Sequence, residues 1–208
     1  MQKTFLLFLK ESHQLFEKNK KFEKTVVFLA GSFKPPHIGH LAMLQKYLNG
    51  MADRAVIMIS SPEADFRKTA FGKIITAEDS SEIWKIYLSR YGIKNAEVMR
   101  SESDASPIKA SIKYISENLK NSNVIFGASR KGNDFEKYEF LLKFFKNSPF
   151  IKVLDPEETA VEPYLLPDGS PASASFIRDN IGDLDEIRPL LPSKLSKEDV
   201  LKVLDILS

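Results

Sequence analysis

Two of the three histidines in this 208-residue chain lie within one ten-residue stretch. Residues 31–40 read GSFKPPHIGH, so that His37 and His40 are three positions apart. On the first turn of a helix this spacing places both imidazoles on the same side. Two donors directed at one anion suit a reaction that builds negative charge on a phosphate group. The spacing therefore indicates phosphate chemistry, and the alternative is a loop with two incidental histidines.

The sequence around this stretch predicts a strand before it and a helix after it. Residues 25–30 are apolar at nearly every position, as in a strand that is covered on both faces. Residues 41–51 follow a helical pattern. The N–H groups and the dipole at a helix start attract anions. Gly31 is expected to leave room for a phosphate near the backbone, and Pro35 and Pro36 stiffen the turn.

The stretch resembles the G-x-F-x-P-x-H-x-G-H signature of the HIGH-motif nucleotidyltransferases. That superfamily includes nicotinamide-mononucleotide adenylyltransferases, pantetheine-phosphate adenylyltransferases and cytidylyltransferases. The matching residues are Gly31, Phe33, Pro35, His37, Gly39 and His40. The resemblance implies that His37 and His40 are catalytic and contact phosphate oxygens, and that Lys34 faces the acceptor. It also implies that four further residues of this turn bind the nucleotide, namely Gly31, Ser32, Phe33 and Gly39.

A second stretch also resembles a signature of this superfamily. Residues 173–178 read SASFIR and begin a predicted helix, for which Ser173 or Ser175 is a good N-cap. The superfamily pattern is I-S-S-T-x-I-R, from which this chain departs at Ala174 and in having Ser175 for threonine. The resemblance implies that Ser173, Ser175 and Arg178 bind the nucleotide. A hydroxyl, helix N–H groups and a guanidinium can together hold the β- and γ-phosphates.

A glycine turn follows another predicted strand, residues 123–126, and reads GASRKG. In the superfamily the corresponding turn often carries an acidic residue next to the nucleotide base. This chain has Ser129 at that position, and the resemblance implies nucleotide binding by Gly127 and Arg130. Arg130 would bind a phosphate, or else cap the following helix. The missing acid leaves the identity of the base open.

A polar loop, residues 63–73, follows the predicted strand at residues 55–59. Ligands of open parallel sheets bind outside the carboxyl ends of the strands. Arg67, Lys68 and Lys73 are therefore candidate phosphate contacts, and the resemblance favours Lys68 and Lys73. The alternative for each is a solvated charge on a surface loop.

Five apolar segments alternate with helical patterns, which predicts an α/β fold with a doubly wound, Rossmann-like parallel sheet. The predicted strands are residues 25–30, 55–59, 96–99, 123–126 and 150–154. The nucleotidyltransferase domain is expected over residues 25–192. An amphipathic helix and linker over residues 1–24 precede it, and a C-terminal helix over residues 193–208 follows it. Residues 155–171 are predicted to be irregular. The layout also resembles cytidylyltransferase-like proteins of large tailed phages.

Composition limits the partners of the chain. With 30 basic and 28 acidic residues the net charge is +2, so nothing indicates binding to nucleic acid. The chain has no cysteine, which excludes disulfides, thiolate metal sites and cysteine nucleophiles. This fits a reducing compartment, and we expect a cytoplasmic protein. No apolar run is long enough to span a bilayer. Homo-oligomerisation stays open.

The resemblance implies transfer of a nucleoside monophosphate from a triphosphate to a small phosphorylated acceptor, with release of pyrophosphate. Mg²⁺ would be held mainly by the substrate phosphates, without a protein metal site. Both signatures favour adenylyl transfer from ATP to nicotinamide mononucleotide, a step of NAD biosynthesis. Cytidylyl transfer to a phosphorylated alcohol or sugar is an alternative. Another is a nucleotide-binding module without catalysis that docks a partner through its terminal helices.

Overall fold

The computed structural model describes residues 22, 24–61 and 67–208. Within them one sheet contains five strands, which are Lys24–Gly31 (β1), Arg54–Ile59 (β2), Ala96–Arg100 (β3), Ser122–Phe126 (β4) and Ile151–Val153 (β5). Their order is β3-β2-β1-β4-β5, and all neighbouring strands are parallel. The predicted doubly wound parallel sheet is confirmed.

Helices connect the strands and follow the last one. They are Ile38–Leu48 (α1), Ala77–Arg90 (α2), Pro107–Asn118 (α3), Glu139–Phe144 (α4), Pro156–Thr159 (α5), Ala174–Asp179 (α6), Leu184–Ile187 (α7) and Lys197–Leu207 (α8). Three short 3₁₀ turns are Lys131–Asn133, Glu136–Tyr138 and Arg188–Leu190. None of the helices in the described part of the chain is long and apolar enough to cross a membrane.

Strand β1 lies at the centre of the sheet and is covered on both faces. Val27 and Leu29 pack into a core with residues of α1, α2 and α8. Val26 and Phe28, which alternate with them, pack into a second core with residues of α3 and α4. Since successive side chains of a strand point to opposite faces, a strand buried on both sides must be apolar throughout. This is why the segment lacks the polar alternation of a half-exposed strand.

The C-terminal helix α8 shares the first of these cores. Val200, Val203 and Leu207 are buried against it. Arg90 of α2 also forms an ion pair with Asp199, with 2.6 Å between Nε and Oδ2. The helix is therefore packed onto the sheet domain, and the predicted boundary at residues 192 and 193 separates no independent core. The predicted N-terminal helix lies outside the described residues.

Residues 155–171 are more ordered than their composition predicts. Helix α5 is followed by Val161, which pairs with Ser129 beyond the end of β4. The Val161 N–H donates to the Ala128 carbonyl at 3.0 Å, and the Arg130 N–H donates to the Val161 carbonyl at 2.9 Å. The prediction of an irregular segment is thus wrong in part. Pairing with a distant strand orders this segment, and such pairing leaves no periodic pattern in the sequence.

The strand order reverses between β1 and β4. From β1 the chain builds β2 and β3 on one side, and it then returns to place β4 and β5 on the other. In doubly wound sheets ligands bind in the crevice at this reversal, outside the carboxyl ends of the strands. The histidine turn follows β1, and the glycine turn follows β4. Both predicted binding turns therefore meet at the expected crevice.

Gly127 at the end of β4 leaves no space for a side chain. A Cβ there would overlap Leu29 and lie 3.1 Å from the Tyr47 ring. We expect Gly127→Ala to lower the free energy of unfolding by about 1–3 kcal/mol through overpacking, measured by urea denaturation. Gly50→Ala is the matched control, because a Cβ at Gly50 meets open space. Equal stability of the two variants would contradict this account.

Candidate functional site

The two motif histidines are oriented by backbone groups at the start of α1. His37 is the N-cap, and its Nδ1 accepts a hydrogen bond from the Gly39 N–H at 3.1 Å. The Nδ1 of His40 accepts one from the His37 N–H at 3.2 Å. The rings stack with their centroids 3.7 Å apart. An Nδ1 that accepts carries no proton, so each neutral ring carries its proton on Nε2. The pair therefore presents two Nε2–H donors.

Both imidazoles are neutral at pH 7. Burial holds the pKa of His37 well below its usual value, and the nearby His40 and Lys131 lower it further. Burial also lowers the pKa of His40 from 6.5 to about 3. Removal from water disfavours the charged form of a group that has no compensating partner. The histidines can thus donate hydrogen bonds to an anion, but they add no net positive charge.

The ring of Phe33 packs against the ring of His40. It makes an edge contact with the His40 ring, with centroids 4.9 Å apart, and another with Trp84 at 5.7 Å. Phe33 has a left-handed backbone with φ of +51°. A Cβ at Gly31 would lie 3.2 Å from the Phe33 ring. The space at Gly31 therefore accommodates Phe33, whereas the sequence predicts that it accommodates a phosphate.

Gly39 and Gly127 have comparable packing roles. A Cβ at Gly39 would lie 3.0 Å from the His37 ring and 3.3 Å from Ala172. Because Gly39 has no side chain, the His37 ring can lie close to residue 39 and accept the hydrogen bond from its N–H. Gly127 faces the core, as described above. Both were predicted to bind nucleotide, and in the structure their missing side chains leave room for close packing around the site.

The second signature lies against the first. Ser173 caps α6, with its Oγ accepting from the Phe176 N–H at 3.4 Å. Arg178 Nη1 donates to the Lys34 carbonyl at 2.7 Å, and Nη2 donates to Ser175 Oγ at 2.8 Å. Lys34 is itself buried. The fold thus brings these predicted residues together across a separation of 144 positions.

A cavity of about 380 Å³ opens beside the histidine pair. Its walls come from residues 37–43, 129–134 and 163–172. This volume is within the range of small-molecule sites, which is roughly 300–1,000 Å³. The cavity therefore lies at the reversal of the strand order, with both histidines in its wall.

Arg130 lies outside the lining of this cavity. Its Nη2 donates to the Glu157 carbonyl at 2.9 Å, and its Nε lies 3.6 Å from the Glu162 carboxylate. The next residue, Lys131, lines the cavity instead. Sequence reasoning missed Lys131, because the turn resembles a pattern in which the arginine is the basic residue. The strand-like pairing of Ser129 with Val161, to whose carbonyl the Arg130 N–H donates, fixes the backbone of this turn and is not visible in the sequence.

Ser129 stands where the superfamily often has an acidic residue, and it has a different role here. Ser129 Oγ accepts a hydrogen bond from the Lys131 N–H at 3.1 Å. A carboxylate is nevertheless present in the lining, since Asp134 reaches the cavity from the same turn. Asp134 also pairs with Lys137 at 2.6 Å. Sequence reasoning missed Asp134 as well, because it looked for the acid at one fixed position.

The loop after β2 packs against α6. The Ala70 N–H donates to the Arg178 carbonyl at 2.8 Å. Lys73 lies 3.9 Å from the carboxylate of Asp79, the residue that completes the cap of α2. Neither Lys68 nor Lys73 lines the cavity. Phosphate contact by either lysine stays a prediction.

Two buried tyrosines fix the turns around the cavity. Tyr47 Oη accepts from the Ala128 N–H at 3.0 Å and lies within donating distance of the Ala128 and Thr159 carbonyls. Burial raises the pKa of Tyr47 to about 12, so this hydroxyl keeps its proton. Tyr138 Oη donates to the Ala30 carbonyl at 3.2 Å. These bonds hold α1, the end of β1 and the turn after β4 in a fixed relation.

Comparisons with known proteins agree with this architecture. Residues 28–111 match the cytidylyltransferase-like family. A search of curated proteins finds no significant match. Among solved structures, a bifunctional NMN adenylyltransferase/ADP ribose pyrophosphatase from Francisella tularensis is similar at a TM-score of 0.56 and 13% identity. The similarity covers 88% of this chain but 50% of that protein, so this chain spans half its length.

A putative nicotinate-nucleotide adenylyltransferase from Vibrio parahaemolyticus is similar at a TM-score of 0.54 and 14% identity. Here the similarity covers 88% of this chain and 98% of that one. At these identities the TM-scores show a shared fold. The shared fold and the family match over residues 28–111 are consistent with the HIGH-motif nucleotidyltransferase superfamily that the motif predicts.

The depressed pKa of His40 makes stability depend on pH. Between pH 6.5 and about 3 the unfolded chain binds a proton at this residue that the folded chain excludes. The free energy of unfolding should therefore fall on acidification, by up to about 1 kcal/mol per pH unit from this group. Urea denaturation at pH 7, 6 and 5 should show that the free energy of unfolding falls more steeply with decreasing pH in the wild type than in His40→Gln. Parallel losses would show that the folded state does not exclude this proton.

Proposed function

We propose that this protein is a nucleotidyltransferase that moves a nucleoside monophosphate from a triphosphate to a phosphorylated acceptor and releases pyrophosphate. The observation that carries the proposal is the fixed pair of neutral histidines in the wall of the crevice. Their Nε2–H groups are oriented before any ligand binds, because each Nδ1 is occupied by a backbone N–H. Donors that need no reorganisation stabilise developing charge most effectively.

In the proposed reaction an oxygen of the acceptor phosphate attacks the α-phosphorus of the triphosphate. A new P–O bond forms as the bond from the α-phosphorus to the bridging oxygen breaks, and pyrophosphate leaves with that electron pair. His37 and His40 would donate to phosphate oxygens as negative charge builds on them. No protein nucleophile is required. The contribution of the protein is then to position the two substrates and to stabilise charge.

Arg178 supports the leaving group in this proposal. Its guanidinium donates hydrogen bonds to the Lys34 carbonyl and to Ser175 Oγ. These bonds place it next to the turn that carries the histidines. We place the β- and γ-phosphates along Ser173, Ser175 and Arg178, with Lys34 toward the acceptor. Guanidinium groups bind phosphate through paired N–H donors.

In the proposed reaction Mg²⁺ binds together with the triphosphate. Among the described residues no group of three or more His, Cys, Asp or Glu side chains could hold a metal ion. Asp134 provides one carboxylate in the lining of the cavity. This donor set fits an ion that is held mainly by phosphates and water. When bound, Mg²⁺ would neutralise phosphate charge.

We favour ATP as the donor and nicotinamide mononucleotide as the acceptor, which would place the protein in NAD biosynthesis in the cytoplasm. Support comes from both sequence signatures and from the solved structures with this fold, which are named as NMN and nicotinate-nucleotide adenylyltransferases. Cytidylyl transfer to a phosphorylated alcohol or sugar is the second candidate, and the cytidylyltransferase-like family match supports it.

The direct test is pyrophosphate release with Mg²⁺, using ATP and CTP separately against phosphorylated acceptors that include nicotinamide mononucleotide, nicotinate mononucleotide and phosphocholine. Release with one pair identifies the donor and the acceptor together. Triphosphate binding by calorimetry without release from any pair would contradict the proposal and favour the non-catalytic nucleotide-binding module.

Loss of one motif donor should slow the reaction strongly. We expect His40→Ala to lower kcat by about two to three orders of magnitude, as observed for other preorganised donors to developing charge. The control is Asn49→Ala at the exposed opposite end of α1, which should keep wild-type turnover. A His40→Ala enzyme with normal turnover would remove this histidine from the mechanism.

Arg178→Ala should weaken triphosphate binding about tenfold or more, because charged hydrogen bonds to phosphate are lost. It should lower the free energy of unfolding by only about 1–2 kcal/mol, the cost of losing its bond to the Lys34 carbonyl. Calorimetry with ATP and urea denaturation measure the two effects. If the variant fails to fold, Arg178 is primarily structural.

A further inference from the structure

We propose that Lys131 is a catalytic residue that binds the phosphate chain of the triphosphate with its ammonium group. The proposal rests on the proposed function, since it requires a triphosphate in the cavity beside the histidines. It assigns the main positive charge of that cavity to a residue which neither sequence signature includes.

The balance of charge in the cavity favours a phosphate contact by Lys131. A triphosphate brings several negative charges into the cavity, and pyrophosphate leaves with several. The two histidines are neutral and contribute only dipolar donors. Among the described residues that line the cavity, Lys131 is the sole cation, and Asp134 adds a negative charge. With Lys131 the charges of the described lining sum to zero, and without it a polyanion would face only the negative charge of Asp134.

Lys131 also lies on the wall that faces the histidine pair. Lys131 and His37 lie in the wall of the same cavity, on the turns that follow β4 and β1. The charge of Lys131 contributes, after burial and His40, to the lowered pKa of His37, which is a consequence of their proximity. An anion that accepts from the histidine Nε2–H groups would therefore lie within the field of the ammonium group.

The backbone of Lys131 is fixed, while its side chain is available to a ligand. Its N–H donates to Ser129 Oγ at 3.1 Å, and its carbonyl accepts from the Asp134 N–H at 3.3 Å. Gly132, with φ of +61°, allows the tight turn between them. No hydrogen bond or ion pair joins the Lys131 ammonium group to another described residue. The side chain can thus turn toward a ligand without breaking a bond.

An ammonium on a flexible stem suits this role. It is a compact charge with three rotatable donors, and it can follow phosphate oxygens as the α-phosphorus changes geometry. Lys131 takes part only through its charge and its hydrogen bonds, so the bonds made and broken are those of the proposed transfer. Its contribution is to stabilise charge on the α-phosphate and on the departing pyrophosphate.

The test compares kcat and KM of Lys131→Ala and Lys131→Arg with those of the wild type in the pyrophosphate-release assay. We expect Lys131→Ala to lower kcat/KM about 10- to 100-fold, and Lys131→Arg to recover most of the loss because it restores the charge. Lys143→Ala on α4 is the control for an equal change in net charge at an exposed residue outside the lining of the cavity. Circular dichroism and urea denaturation verify that each variant folds.

Calorimetry with ATP and with CTP separates this proposal from the proposed function. If the wild type is active and Lys131→Ala keeps its full kcat/KM, the role of Lys131 is overturned while the function stands. The same holds if Arg130→Ala loses activity and Lys131→Ala does not. If the wild type releases no pyrophosphate but Lys131→Ala weakens triphosphate binding, the function fails and the phosphate contact stands. Unchanged binding in an inactive protein would overturn both.

Discussion

The candidate site depends on two hydrogen bonds at the start of one helix. The first N–H groups of a helix have no partner within it, and another acceptor must satisfy them. Here the acceptors are the Nδ1 atoms of His37 and His40, in place of the usual serine or aspartate. One arrangement therefore begins the helix, selects the tautomer of both rings and directs two donors outward. Folding of the helix start and preparation of the site are the same event.

The rest of the molecule keeps this helix start in register with a second turn. The sheet brings the ends of β1 and β4 side by side, and the Tyr47 hydroxyl connects α1 to the backbone beyond β4. The pairing of Ser129 with Val161 extends the sheet past its last regular residue, and residues from the segment that follows, 163–172, line the cavity. Three segments distant in sequence thus enclose one space, and each is held by backbone hydrogen bonds.

Sequence patterns predicted the five strands of the sheet and the main helices between them, because the central strands are short apolar runs and these helices have a regular apolar stripe. They also predicted that His37 and Arg178 belong to one site, since short signatures mark both. They failed where tertiary contacts decide the direction of a side chain. Neighbouring residues on an irregular turn, Arg130 and Lys131, have similar chemistry and no periodicity to distinguish them. Pairing of the turn with a distant segment places one outside the cavity and the other in its wall.

The two glycines of the histidine turn have a consequence for how such motifs are interpreted. A Cβ at Gly31 or Gly39 would crowd the ring of Phe33 or of His37, so internal packing favours glycine at both positions. A descendant that had lost its substrate would still be stabilised by both glycines in this turn. Selection for a stable fold alone would then preserve much of the signature. The ligand-facing lining, in particular a charged side chain on the opposite turn, discriminates better between an active and an inactive relative.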